Sequence, residues 1–161
     1  MHVDRREKYF IIFSIVLLTV FAAAVGVSAF AVGIQVPSPE EQVNPQTVAT
    51  PGVSRFADPV DERLRELSPG KYEVYILAQM WAFVPNEIRI PAGSTVTFYV
   101  TSKDVQHGFM VERTNINMMI IPGQVSKLTA TFDEPGTYNV ICHEYCGINH
   151  HIMFGRIVVE P

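Results

Sequence analysis

The chain reads as an all-β, Greek-key sandwich carried behind one N-terminal transmembrane helix. Three observations lead there. No charged residue occurs from Tyr9 to Pro39, and a helix needs roughly 20 apolar residues to cross a bilayer core. Beyond residue 70, apolar and polar side chains alternate with the period of two that marks half-buried strands. Those runs are separated by the turn formers Pro91-Ala92-Gly93, Pro122-Gly123 and Pro135-Gly136. About 120 residues follow the apolar segment, enough for one domain and too few for two.

The elements follow in chain order. Residues 1–8 hold Arg5, Arg6 and Lys8, whereas Glu40 and Glu41 flank the apolar stretch on its far side. The positive-inside rule therefore places the N-terminus in the cytoplasm, the helix over 9–36, and the remainder on the outer face of the membrane. A cleaved signal peptide is the competing reading, because Ala29-Phe30-Ala31 offers a small-x-small site. The anchor is preferred: the apolar run before that site, about 19 residues, exceeds a signal peptide's core and continues past it. Residues 37–70, with Pro37, Pro39, Pro45, Pro51, Pro59 and Gly52, read as an extended linker. Within it, Asp58 to Leu67 is predicted as a short helix with Asp58 as N-cap and Pro59 in its first turn, ended by Ser68-Pro69-Gly70.

Residues 71–161 form the predicted sandwich. Tyr72, Val74 and Ile76 alternate with Glu73 and Tyr75; Val96, Phe98 and Val100 alternate with threonines; Leu128, Ala130 and Phe132 alternate with Lys127, Thr129 and Thr131. These are expected to pair antiparallel. Further strands are expected near 87–90, 107–111, 137–141 and 153–159. The net charge is −4. Residues 40–161 hold nine Lys/Arg against fourteen Asp/Glu, which leaves no basic surface for nucleic acid and mildly favours a cationic partner.

Chemistry concentrates in Cys142-His143-Glu144-Tyr145-Cys146-Gly147-Ile148-Asn149-His150-His151-Ile152-Met153. Thiolate and thioether are soft donors that favour Cu(I), and imidazole serves both copper oxidation states, so the set points to a copper electron-transfer site. A mononuclear blue-copper site uses one cysteine; two suggest a pair of copper ions bridged by two thiolates. The additional nitrogen donor has to come from elsewhere, and His107 in Asp104-Val105-Gln106-His107-Gly108-Phe109 is the candidate. A Cys142–Cys146 disulfide would close a very small loop with little gain in chain entropy, leaving His150 and Met153 unexplained. Zinc on Cys142, Cys146, His107 and His150 is the stronger rival, but zinc has no use for Met153.

The loop resembles the dinuclear CuA loop of cytochrome c oxidase subunit II, C-x-E-x-C-x-x-x-H-x-x-M, with every ligand position filled. The resemblance extends through 101–109, Thr114-Asn115-Ile116-Asn117, Pro122-Gly123 and Pro135-Gly136-Thr137-Tyr138. It is most similar to subunit II of the B-type heme-copper oxidases, which have a single anchor. The resemblance implies a cupredoxin-like fold. It also implies Cys142 and Cys146 as bridging thiolates, His107 and His150 as terminal ligands, Met153 as a weak axial ligand, and the backbone carbonyl of Glu144 as the remaining one. His2, His143 and His151 fall at positions the family does not use. Asp104 reads either as an acceptor orienting His107 or as a turn cap. In the family an aromatic segment at the place of Trp81 lies where the donor docks; a core tryptophan explains Trp81 equally well. Glu7 matches a glutamate at the mouth of a proton-uptake path, or is a flank charge at the helix end.

The function so implied is that of subunit II in a prokaryotic cell membrane. Such a subunit takes single electrons from a c-type cytochrome or a small blue-copper protein and passes them to heme in subunit I, where oxygen is reduced. The alternatives are the CuA subunit of a nitric oxide reductase and a free-standing membrane-anchored copper-binding module.

Overall fold

The computed structural model of the chain describes residues 4–31 and 37–161. The chain divides into two compact units, one ending at Gln35 and the other beginning at Val36. In the first, helix α1 runs Arg5–Ala31, and none of its residues is buried. Its length of 27 residues, at about 1.5 Å per residue, exceeds the roughly 30 Å of a bilayer's hydrocarbon core. The helix begins earlier than residue 9 because Asp4 starts it: the Asp4 carboxylate accepts from the Arg6 amide at 2.8 Å and its carbonyl from Lys8 at 3.0 Å. The expected tail of the anchor, 32–36, and His2 lie outside the described residues.

Among the described residues, the second unit contains eleven strands: β1 Ser38–Gln42, β2 Leu64–Ser68, β3 Lys71–Gln79, β4 Ala82–Val84, β5 Glu87–Pro91, β6 Ser94–Ser102, β7 His107–Val111, β8 Asn117–Ile120, β9 Gln124–Phe132, β10 Gly136–Ile141 and β11 Phe154–Glu160. One sheet has the order β1-β9-β6-β3-β2, with β4 also on β3; the other has the order β5-β11-β10-β7-β8. The sandwich is therefore as expected, but its pairing is not uniformly antiparallel. β3 pairs with β6, and β5 with β11, in parallel. Between β3 and β6 the chain leaves for the opposite sheet as β5 and comes back, and that crossing returns it in the same direction.

Side chains from both sheets meet in one core, where rings stand edge to face along the sandwich: Phe83 against Phe109, Phe98 against Phe132, and Phe132 against Tyr138. Cys142, Cys146 and Met153 belong to that same buried cluster, so the loop between β10 and β11 closes one end of the core.

Residues 37–70 differ from the expected linker. β1 pairs with β9, and Val48 and Phe56 are buried with Leu77 and Val125 in a second, smaller core. Burial of apolar side chains outweighs the extended bias of the prolines. The predicted helix over 58–67 is absent. Short 3-10 turns occupy Arg55–Ala57 and Val60–Glu62, and β2 follows. The Asp58 carboxylate pairs with Arg65 at 2.8 Å, and its carbonyl accepts from the buried Arg63. The amides and carbonyls of Leu64–Ser68 find partners on β3, so sheet pairing satisfies the backbone that a helix would otherwise have satisfied.

Candidate metal centre

Two segments at one end of the sandwich build the site. β7 begins with His107, and the loop 142–153 joins β10 to β11. The loop is closed at its base by the Cys142 amide on the Met153 carbonyl, 3.2 Å. Its last part is a 3-10 turn, His150–Ile152. Residues three apart eclipse in such a turn, which sets His150 and Met153 on one side, toward Cys146. Sequence spacing alone does not show this, yet it accounts for the two residues between them.

The donor atoms converge on the two sulfurs. Cys142 Sγ lies 3.8 Å from Cys146 Sγ, 3.9 Å from His107 Nδ1 and 3.3 Å from the Glu144 carbonyl oxygen. Cys146 Sγ lies 3.5 Å from His150 Nδ1 and 3.6 Å from Met153 Sδ. His107 is fully buried, and Cys142, Cys146 and Met153 nearly so. His107, Cys142 and Cys146 alone form a cluster able to hold a metal ion. His151 is exposed whereas its neighbour His150 is partly buried against Cys146.

Asp104 does both things that its position suggested. One carboxylate oxygen pairs with His107 Nε2 at 2.9 Å and accepts from the Val105 amide; the other accepts from the Met80 amide at 2.8 Å. With Nε2 taken, Nδ1 is the ring nitrogen left for a metal. Burial disfavours the Asp104 carboxylate, but the bonds from His107, Met80 and Val105 outweigh it and hold its pKa below the ordinary value. Burial likewise opposes a charge on His107; its bonds to Cys142 and Asp104 prevail and raise its pKa. For Cys142, burial is overcome by His107 and by the Gly108 and Glu144 backbone, bringing the thiol down to about 6. Burial and the charge of Cys142 push Cys146 up to about 11. The two shifts run in the sense that stabilises opposite charges on Cys142 and His107, and a cation bound by these groups would take the place of a proton.

Trp81, at the turn between β3 and β4, is 36% exposed. A β-carbon built on Gly147 would stand 3.0 Å from its Nε1, and Gly147 has φ of +118°. Only glycine suits that position, and the indole lies over the ligand loop beside Cys146 rather than within the core. Glu7 is exposed in the first turn of α1. A depression of about 520 Å³ lined by Ile141, Cys142, His150, His151, Met153 and Phe154 approaches the site from outside.

The donor set fits copper: two thiols, two imidazoles and a thioether within one pocket are soft and borderline ligands. Comparison with known proteins agrees with this chemistry. Residues 66–161 match the family described as cytochrome c oxidase subunit II, periplasmic domain. Cytochrome c oxidase subunit 2 of Thermus thermophilus is 41% identical over 156 residues, 96% of this chain and 91% of that protein. A chain in the cryo-EM structure of a heme-copper terminal oxidase dimer superposes with a TM-score of 0.78 at 38% identity, covering 97% of this chain and 100% of its own. The periplasmic domain of subunit II of the Bradyrhizobium japonicum cytochrome oxidase, at 20% identity, a TM-score of 0.51 and coverage of 55% and 83%, shares the cupredoxin-like fold. A sandwich with this donor loop, a family match over residues 66–161 and a relative aligned along nearly all of both chains place the protein: it belongs to the cytochrome c oxidase subunit II family.

Proposed function

We propose that this chain receives electrons for its oxidase through a dinuclear copper centre held by Cys142, Cys146, His107, His150, Met153 and the Glu144 carbonyl. The observation that carries the reading is the convergence of two imidazole nitrogens, a thioether and a backbone carbonyl on two sulfurs 3.8 Å apart. Copper held by these residues would supply a one-electron store between a donor protein and heme in subunit I. The chain's own residues hold the ligands still. Asp104 fixes the His107 ring, the Cys142–Met153 backbone bond fixes the ends of the loop, and burial keeps water from the sulfurs. Little then rearranges when charge arrives.

In and just after the loop 142–153, Tyr145, Ile148, Ile152 and Phe154 are exposed, and Trp81 is partly exposed against Gly147; these apolar side chains support docking of a c-type cytochrome or small blue-copper protein with electron transfer through Trp81. In this reading α1 anchors the chain as a single pass in a prokaryotic cell membrane beside subunit I, with the N-terminus cytoplasmic and the copper domain on the outer face. Glu7 then stands at the cytoplasmic end of α1, where it would serve the mouth of a proton-uptake path. The deciding experiment is an optical and EPR spectrum of the detergent-solubilised, copper-loaded chain. A mixed-valence signal from two coppers is expected; a single-copper or zinc-only protein would overturn the proposal.

A further inference from the structure

His143 lies between Cys142 and Glu144 and belongs to no ligand position, yet its ring is not free. A β-carbon on Gly108 would stand 2.7 Å from Cγ, Nδ1 and Cδ2 of the His143 imidazole. Three ring atoms at one distance mean that the ring lies flat on the Gly108 backbone and fills the space a side chain would take. Gly108 follows His107 on β7 and points away from the core side that Phe109 occupies, its cross-strand partner being Met119. Although it lies on that outer side, Gly108 is buried.

The contact joins the two segments that supply donors. Gly108 is next to His107, and its backbone hydrogen-bonds the Cys142 sulfur. His143 is next to Cys142 and to Glu144, whose carbonyl is 3.3 Å from that sulfur. Strand β8 pairs with Gly108 along one edge, but glycine brings no β-carbon to restrict its backbone. The seated ring adds that restriction.

We propose that His143 is a positioning residue of the metal centre: its imidazole, seated on Gly108, clamps the Cys142–Glu144 segment to the strand that carries His107 and holds the Gly108 amide toward the Cys142 sulfur. The redox consequence rests on the copper reading given above; the clamp itself does not. An amide directed at a cysteine sulfur withdraws electron density and favours the reduced centre, so loosening it lowers the reduction potential.

The test uses the full chain in detergent. In the metal-free state, His143→Ala is expected to speed hydrogen exchange at the Gly108 amide by about tenfold or more. After copper loading it is expected to lower the reduction potential, where about 59 mV corresponds to a tenfold change for a one-electron couple. His143→Phe, which keeps a flat ring without nitrogens, should restore both. Gly108→Ala should behave like His143→Ala, since its methyl evicts the ring, and should add little further change in the double variant. The clamp is overturned if His143→Ala leaves exchange and potential unchanged, or if phenylalanine fails to rescue them. A wild-type chain that takes up no copper would defeat the copper reading alone, because the metal-free exchange still decides the clamp.

Discussion

Serine in place of Cys142 or Cys146 keeps the size of the side chain but removes a soft bridging donor, so either variant is expected to lose the mixed-valence signal. Retention of two delocalised coppers in its EPR spectrum would contradict the bridging assignment. Met153→Leu keeps the packing of a fully buried side chain and deletes only the thioether, which lies 3.6 Å from Cys146 Sγ. Both coppers are expected to remain, with a shifted potential measured by redox titration. Glu144 separates backbone from side chain. Its carbonyl oxygen faces Cys142, so Glu144→Gln should keep two coppers by metal analysis and change the potential only modestly. Loss of copper would make the carboxylate itself a ligand. At this scale the gathering of soft donors in residues 142–153 was legible in the sequence, because it is written in residue type and short spacing. The seat of His143 on Gly108 was not: nothing local to either residue marks a contact between positions 35 apart in the chain.

Among the elements, the segment before β2 departs most from its sequence signature. Proline and glycine between residues 37 and 59 suggested a tether, but Phe56 is buried edge-on against Tyr75, itself stacked on Tyr99, and Arg55 pairs with Glu73 at 2.6 Å. Phe56→Ala is therefore expected to destabilise the domain by about 3 to 5 kcal/mol, read as a lower denaturant midpoint with the copper spectrum retained. A true linker would show no change. The turn carrying Trp81 makes the opposite prediction. Because the indole is partly exposed over Gly147, Trp81→Ala should cost less stability than a core truncation but slow reduction by the donor on the order of tenfold, as loss of about 1.4 kcal/mol at an interface would. Stopped-flow reduction and thermal melting of that one variant distinguish the roles: a large fall in melting temperature with unchanged reduction rate would make Trp81 a structural residue.

The whole molecule is two units, an apolar helix and a sandwich with its own core. Removing residues 1–35 is expected to leave a soluble domain with an unchanged copper spectrum and a melting temperature within about 3 °C of the full chain. Aggregation or loss of the spectrum would mean that the helix completes the fold. What the sequence determined by itself is whatever depends on near neighbours: the apolar run that makes α1, the alternation that makes β3, β6 and β9, and the spacing that gathers two cysteines, a histidine and a methionine in one loop. Only the tertiary structure decided the parallel pairing of β3 with β6, the packing of residues 37–57 as part of the domain, the turning of His107 by Asp104 toward the sulfurs, and the placing of Trp81 and His143 over glycines of the site. Each of these joins residues far apart in the chain. Such contacts form only when burial and backbone pairing across the sandwich offset the entropy of closing long loops, and local pattern carries no record of which distant partner will be found.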